Sequence, residues 1–221
     1  GFPGCAGYAA AVVKGEAPVN RCAAGGAAVA AQIAEIMGVT ADATVRDVAG
    51  VHCTGCGANI KKYEYIGISD CVGAMKVAGN GPLECAYGCL GFGNCVRACA
   101  FDAIHINENG VAEVDRDLCT NCGQCREACP RGLIGEIPYA ADITVGCASK
   151  EKGAVSRQQC AASCIGCKLC EKNCPSDAIH VVDNVAVIDY SKCTSCGICV
   201  SKCPRKVLTN IHDDGRVAPV A

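Results

Sequence analysis

The chain contains 221 residues with a formal net charge of −2, and 23 of the residues are cysteines. Aromatic residues make up only 4% and tryptophan is absent, which argues against a large aromatic core and against nucleic-acid binding by base stacking. No apolar run reaches the roughly 18 residues that a membrane-spanning helix needs. The composition therefore favours small modules in which bound metal supplies much of the folding free energy.

Cysteines at this density indicate disulfides, zinc sites or iron–sulfur clusters. Disulfides need an oxidising compartment, but the chain shows no signal peptide and its cysteine count is odd. Zinc sites usually pair two C-x2-C knuckles across a longer spacer. Iron–sulfur clusters on the reducing, cytoplasmic side of a membrane are therefore predicted. A zinc-stapled interaction protein without redox activity is the alternative from another class.

Residues 1–50 contain two cysteines, Cys5 and Cys22. The alanine-rich stretch 23–37, which includes Gln32 and Glu35, is predicted as a packed amphipathic helix.

Residues 51–80 are predicted as a cysteine-containing connecting segment. Cys53, Cys56 and Cys71 have the spacing C-x2-C-x14-C and need a fourth ligand. Cys147 and Cys160 are the cysteines left for that role, so one of them is predicted to complete an extra cluster. A zinc site or free buried thiols are the alternatives.

Residues 81–146 are predicted as a first two-cluster ferredoxin-like module. It contains one complete C-x2-C-x2-C-x3-C-P run of the bacterial ferredoxin type: Cys119, Cys122, Cys125, Cys129 and Pro130. The fourth cysteine of such a run binds the other cluster of the pair. The first three are therefore expected to share a cluster with Cys99.

The second cluster of this module departs from the pattern. Cys89, Cys95 and Cys99 are in register, but Phe92 stands where the second ligand belongs. Cys85 is predicted to replace it, which gives the group Cys85, Cys89, Cys95 and Cys129. The alternative is a three-iron cluster or a lost site, with Cys85 a buried thiol.

Residues 147–212 are predicted as a second two-cluster module, and residues 213–221 as a tail. The frame C-x2-DAIH at Cys99 recurs at Cys174, which indicates an internal duplication and an α+β fold. The second module has two complete runs. The expected ligand groups are Cys164, Cys167, Cys170 and Cys203 for one cluster, and Cys174, Cys193, Cys196 and Cys199 for the other.

Charge differs between the two predicted modules. Residues 81–146 have four basic and nine acidic side chains, whereas residues 147–221 have ten basic and seven acidic ones. A basic face near clusters would steer an acidic electron carrier, so the last module is predicted to receive ferredoxin through Lys202, Arg205 and Lys206. The alternatives are an ordinary solvated face and a contact face for another protein subunit.

Several segments resemble the B subunit of the Rnf complex, the ferredoxin:NAD⁺ oxidoreductase of bacterial membranes, in its longer clostridial form. They are GFPGC with the later Cys22, KKYEYIGISDC, ECAYGCLGFGNCVRAC and CASKEKGAVSRQQCAASCIGCKLC. In that family the first cluster motif is close to C-x2-C-x4-C-x16-C. The resemblance therefore implies a small amino-terminal [4Fe-4S] domain over residues 1–50, with Cys5 and Cys22 as its third and fourth ligands. The resemblance implies that two more ligands and a membrane helix lie upstream of Gly1.

By the same resemblance the chain takes electrons from reduced ferredoxin and relays them to ion-pumping membrane subunits at the cytoplasmic face of the membrane. Four [4Fe-4S] clusters are expected in the modules and up to two more in the amino-terminal third. The sequence lacks the glycine-rich phosphate motifs of nucleotide sites, so no NAD or flavin is expected on this chain. A polyferredoxin subunit of a hydrogenase or bifurcating enzyme is the nearest rival.

Overall fold

A computed structural model of the chain describes residues 2, 4–22, 25–40, 46–55 and 57–211. The candidate ligand Cys56 and the predicted tail 213–221 lie outside the described residues. The described chain is a mixture of short helices and two-stranded antiparallel sheets, as an α+β fold predicts.

Helices and strands are short because the cysteine loops interrupt the chain repeatedly. The helices are α1 (Gly4–Val13), α2 (Gly26–Met37), α3 (Cys71–Met75), α4 (Asn94–Arg97), α5 (Gln124–Ala128), α6 (Gly153–Gln159), α7 (Leu169–Lys172) and α8 (Ile198–Lys202). The strands are β1 (Asp47–Val51), β2 (Ile104–Ile106), β3 (Ala112–Val114), β4 (Ile134–Pro138), β5 (Ile143–Val145), β6 (Ile179–Val182), β7 (Val185–Ile188) and β8 (Leu208–Asn210).

The first β unit, strands β1 to β4, consists of an outer pair and an inner hairpin. The outer pair joins β1 to β4 with Ala49 opposite Glu136, and the hairpin joins β2 to β3. Val48, Ile104 and Ile134 are buried between them together with several cysteines. Strand β1 therefore extends this unit upstream of the predicted module start at residue 81.

The second β unit, strands β5 to β8, repeats this plan. An outer pair joins β5 to β8, and the hairpin β6–β7 corresponds to β2–β3. Ile179, Val207 and Leu208 form its core with the cysteines of the adjacent loops. The repeated C-x2-DAIH frame thus leads into the inner hairpin of each unit.

The amino-terminal helices pack on each other through small side chains. Ala11 and Val12 of α1 are buried against Ile33 and Met37 of α2. Helix α2 confirms the predicted helix at 23–37 over its described residues and ends at Gly38, which has a left-handed φ of 66°. Among the described residues, no helix combines the length and the apolar character needed to cross a bilayer.

Residues 52–61, which we call the junction segment, connect the two β units. Thr54 donates a backbone hydrogen bond to Gly146 O at 3.1 Å, and Ile60 donates one to Gln159 O at 3.0 Å. Asn59 and Cys160 form an isolated β-bridge. The junction segment therefore contacts the part of the second unit between β5 and α7.

Candidate metal centres

Four cysteine loops share one backbone conformation. In each loop the second and fourth residues after the first cysteine are left-handed: Gly91 and Gly93, Asn121 and Gly123, Gly166 and Lys168, and Ser195 and Gly197. A short helix starts directly after each loop, at α4, α5, α7 and α8. The left-handed residues curl the backbone tightly, so that the cysteines on each loop can face a common cleft.

Three clefts bring together the thiols that the sequence groups. One is lined by Cys99, Cys119, Cys122 and Cys125, the second by Cys164, Cys167, Cys170 and Cys203, and the third by Cys174, Cys193, Cys196 and Cys199. In both units the last cysteine of a run thus lines the other cleft of its unit.

The fourth cleft, which we call the composite cleft, differs from the prediction. It is lined by Cys71, Cys89, Cys95 and Cys129 and contains about 410 Å³ of empty space. Cys85, the predicted replacement for the missing ligand, does not line it. Cys71, which spacing assigns to Cys53 and Cys56, takes the fourth position instead.

A polar network holds Cys71 against the loop that carries Cys89 and Cys95. Asp70 caps helix α3 by accepting a 2.6 Å hydrogen bond from Gly73 N. Asn94 joins both elements, because its Nδ2 donates to Asp70 at 2.6 Å and its Oδ1 accepts from Cys71 N at 2.8 Å. The cysteine spacing does not predict this contact. The signal in the sequence that relates to it is Asn94, directly before Cys95.

Phe92 closes the position that a cysteine occupies in the other three loops. Cys122, Cys167 and Cys196, at the equivalent positions, are exposed. Phe92 is half-buried, and its ring lies 5.2 Å from that of Tyr65. The composite cleft therefore lacks the exposed second cysteine that the other three loops carry.

A fifth group, which we call the junction thiols, lies between the two β units. Cys53, Cys85 and Cys160 are buried and Cys147 is half-buried. Burial raises the pKa of Cys160 to about 11, with neighbouring Cys85 and Cys147 adding to the rise. Burial also raises the pKa of Cys53 to about 12, and Cys147 contributes there as well. Both Cys147 and Cys160 thus lie in this group, where the sequence predicts only one.

Backbone amides link the junction thiols to the clefts on both sides. Cys89 N donates to the sulfur of Cys53 at 3.4 Å. Cys164 N donates to the sulfur of Cys147 at 3.3 Å. One cysteine of the composite cleft and one cysteine of the second unit are therefore in direct contact with the fifth group.

The donor sets fit [4Fe-4S] cubanes. Each cleft offers four thiols and no competing acidic side chain among its lining residues. Within the described chain, no three His, Cys, Asp or Glu side chains form a group that could hold one metal ion. A single zinc ion needs four sulfurs about 2.3 Å from one point, whereas a cubane places iron and sulfide between sulfurs around a cleft.

Several cleft thiols are removed from solvent and need a strong partner to ionise. Burial raises the pKa of Cys95 to about 12, and the pKa values of Cys170 and Cys199 to about 11. Backbone amides already point at several sulfurs, for example Leu133 N at Cys129 and Ala178 N at Cys174. Iron would supply the remaining stabilisation of the thiolates.

Cys5 and Cys22 lie apart from these groups. Cys5 is exposed in α1, and Cys22 is half-buried in the segment between α1 and α2. Both precede strand β1 in the chain, so neither belongs to the two β units.

Comparison with protein families supports the metal chemistry of three regions. Residues 163–207 match a 4Fe-4S dicluster domain, residues 112–134 match a 4Fe-4S binding domain, and residues 1–24 match a family described as "Putative Fe-S cluster". The prediction of [4Fe-4S] clusters, and of ferredoxin-like domains in a mixed helix-and-sheet chain, is confirmed.

Similar proteins cover nearly the whole chain. The B subunit of the Na⁺-translocating ferredoxin:NAD⁺ oxidoreductase complex of Acetobacterium woodii is 44% identical over 98% of this chain, which spans 65% of that protein's length. The proton-translocating counterpart of Clostridium ljungdahlii is 48% identical, with 92% of this chain and 73% of the relative covered. For the B subunit of the ion-translocating oxidoreductase complex of Methanosarcina acetivorans the values are 41%, 94% and 79%. The family predicted from the sequence is therefore confirmed. The chain belongs to the family of B subunits of ion-translocating oxidoreductase complexes.

Proposed function

We propose that this chain accepts electrons from reduced ferredoxin and relays them toward the membrane subunits of an ion-pumping ferredoxin:NAD⁺ oxidoreductase, at the cytoplasmic face of the membrane. The observation that carries the proposal is the set of four clefts, each lined by four thiols, in a member of the B-subunit family. The names of two relatives support ferredoxin and NAD⁺ as the redox partners of the complex.

The two β units act in this proposal as tandem two-cluster ferredoxin-like modules. Bound [4Fe-4S] cubanes supply one-electron redox chemistry at low potential. The chain holds them with the cysteines of the four clefts, excludes water with the cores of the two units, and donates backbone N–H groups to cysteine sulfurs. Cys71 is assigned to the first unit and completes its composite cleft.

The four junction thiols, Cys53, Cys85, Cys147 and Cys160, are proposed to hold a further cluster. This assignment makes the path continuous, because the amide contacts at Cys53 and Cys147 join the fifth group to a cleft of each unit. A zinc site or buried free thiols remain the alternatives. Cys5 and Cys22 are assigned to a separate amino-terminal cluster.

Ferredoxin is proposed to dock on the second unit near the cleft of Cys164, Cys167 and Cys170. Lys172, Lys202 and Lys206 are exposed on this unit. Arg205 must be removed from the predicted docking set. It is half-buried, and its guanidinium donates to Ser163 O at 3.2 Å and to Cys160 O at 3.0 Å. An exposed lysine pair, rather than Arg205, is therefore the surface to test.

Metal analysis tests the proposed function directly. Iron, acid-labile sulfide and zinc are measured per chain after anaerobic purification, together with an EPR spectrum after dithionite reduction. Iron and sulfide equivalent to four or more cubanes, with magnetically coupled reduced signals, are expected. Zinc without iron and no reduced signal would reject the electron relay and leave the zinc-stapled alternative.

Charge reversal tests the docking face. The double variant Lys202→Glu and Lys206→Glu should slow reduction by ferredoxin by about tenfold or more at low salt, because steering of a charged partner contributes factors of roughly 10 to 10³. The loss should shrink above about 0.15 M salt. Lys14→Glu with Arg21→Glu, which changes the same charge on the amino-terminal region, is the control. Equal rates for both double variants would reject this docking face.

A further inference from the structure

Arg131 and Arg205 occupy the same position in the internal repeat. Each follows the last cysteine and the proline of its run, in Cys129-Pro130-Arg131 and in the corresponding segment that ends at Arg205. Each side chain also lines a cleft of its own unit. The two arginines are thus a matched pair inside one molecule.

Both guanidinium groups reach from a cleft to the junction thiols. Arg131 Nη1 donates to Cys85 O at 2.8 Å and to Gly88 O at 2.7 Å, while its Nη2 donates to Asn80 O at 2.6 Å. Arg205 Nη2 donates to Cys160 O in the same way. Each arginine therefore fixes the backbone of one junction cysteine, from opposite sides of the group.

The pair differs at the Nε atom. Arg205 Nε donates to Ser163 O at 3.2 Å, so both its Nε and its Nη2 are hydrogen-bonded to protein carbonyls. Arg131 Nε is buried and has no hydrogen-bond partner in the structure. An unpaired buried N–H group costs about 1–3 kcal/mol in general, and Arg131 lines the composite cleft, where a bound cluster would bring sulfur acceptors.

Charge around Arg131 points the same way. Arg131 lies two residues after Cys129, lines the composite cleft with Cys71, Cys89 and Cys95, and donates to the carbonyl of the junction cysteine Cys85. The positive group therefore lies among sulfurs of both the composite cleft and the junction thiols. A fixed positive charge and an N–H donor next to a cluster stabilise its reduced, more negative form.

We propose, on the basis of the proposed function, that Arg131 is a positioning residue that raises the reduction potential of the cluster in the composite cleft. Its Nε–H donates to a sulfur of that cluster, and its Nη groups hold the loop of the neighbouring junction cysteine. Arg205 positions its loop but makes no such Nε contact, so the two clefts beside the junction differ in their tuning.

A redox titration followed by EPR tests this proposal. The signal of the composite cleft is first assigned by its loss in Cys71→Ala. In Arg131→Gln the ratio of reduced to oxidised cluster at a fixed potential should fall about tenfold, which for one electron corresponds to about 59 mV. Arg131→Lys, which keeps the charge but lacks Nε–H, should give a smaller shift. Arg205→Gln should leave this signal at its wild-type potential.

An unchanged midpoint potential in Arg131→Gln, with iron and sulfide at wild-type levels, would overturn the proposal. Because this variant also removes three hydrogen bonds to the loop 80–88, a second measurement uses the unaltered chain. Pulsed EPR of protein labelled with ¹⁵N at the arginine Nε should show a hyperfine coupling to the composite-cleft signal. The coupling should vanish in Arg131→Lys and persist in Arg205→Lys.

The two levels of inference fail in different ways. A wild-type chain without iron would reject the proposed electron relay. Full iron content with no ¹⁵N coupling to the composite-cleft signal would reject the role of Arg131 alone and leave the relay standing.

Discussion

The two β units share a strand plan, a loop conformation and a crossed arrangement of cysteines. They differ in the source of the fourth thiol of one cleft. The second unit draws all eight thiols from its two runs. The first unit has Phe92 in one loop and brings in Cys71 from helix α3. The comparison shows that thiols from different positions in the sequence can line equivalent clefts.

The same comparison extends to exposure. Each regular loop presents its second cysteine to solvent, at Cys122, Cys167 and Cys196. In the composite cleft this place is taken by Phe92 under Tyr65. The composite cleft therefore has no exposed second cysteine in its loop and takes the half-buried Cys71 of α3 as its fourth thiol.

Removal of Cys71 is expected to have the largest effect. Cys71→Ala should lose about four irons per chain and one reduced EPR signal, because a cubane needs its set of protein thiolates. Cys85→Ala should retain that signal. Iron content and EPR of both variants are compared with Cys167→Ala, which removes a thiol from a regular cleft. Loss of the composite signal in Cys85→Ala, with retention in Cys71→Ala, would restore the grouping expected from spacing.

Loop glycines offer a second contrast with a smaller effect. Gly91 has φ 75°, and an added Cβ would stand 2.5 Å from Gly110 O of the inner hairpin. Gly197 has φ 73° but nothing within 4 Å of an added Cβ, and the equivalent position in another loop is Lys168. Gly91→Ala therefore meets backbone that cannot yield, whereas Gly197→Ala incurs only the left-handed penalty of roughly 1–2 kcal/mol.

Iron release on mild heating measures this contrast. Gly91→Ala should release iron at least about tenfold faster than Gly197→Ala, since each 1.36 kcal/mol changes a rate by about tenfold. Equal release rates for the two variants would show that the hairpin carbonyl gives way to the added carbon.

The smallest expected difference between the two β units concerns the pH dependence of cluster assembly, which should have the same direction in both. Thiols with pKa values of about 12 at Cys95 and about 11 at Cys199 are protonated in the metal-free chain at neutral pH. Binding of iron displaces those protons, so assembly becomes more favourable as pH rises. Reconstitution followed by absorbance from about pH 6 to 9 should show a rising yield; a yield that falls over this range would contradict the assigned protonation.

The sequence predicts the three regular groups because each run fixes three thiols within one tight loop. The fourth member follows from the two-cluster pattern, in which the last cysteine of one run binds the other cluster. The repeated C-x2-DAIH frame likewise predicts the inner hairpins. These features depend on residues close together in the chain, where spacing carries geometric information.

Spacing fails where tertiary contacts decide. Cys71 stands fifteen residues after Cys56 in the C-x2-C-x14-C pattern, but Asp70 and Asn94 fasten it to a loop over 20 residues downstream. The sequence predicts Arg205 as part of a basic face, but its guanidinium donates a hydrogen bond to the backbone carbonyl of Cys160. In both cases a side-chain hydrogen bond to a distant backbone group sets the role, and such bonds leave no periodic signal.

The junction segment has a consequence for how the protein is made. Its contact between Cys160 and Gly55 spans 105 residues, whereas each cleft of the second unit forms from residues of that unit alone. Chains emerge from the ribosome amino-terminal end first, and contacts between distant residues form slowly. Cys53 can be covered earlier, by Val111 and Leu133. The group of junction thiols, in contrast, is complete only after residue 160 has been synthesised, so the nascent chain carries an incomplete set of metal ligands until then.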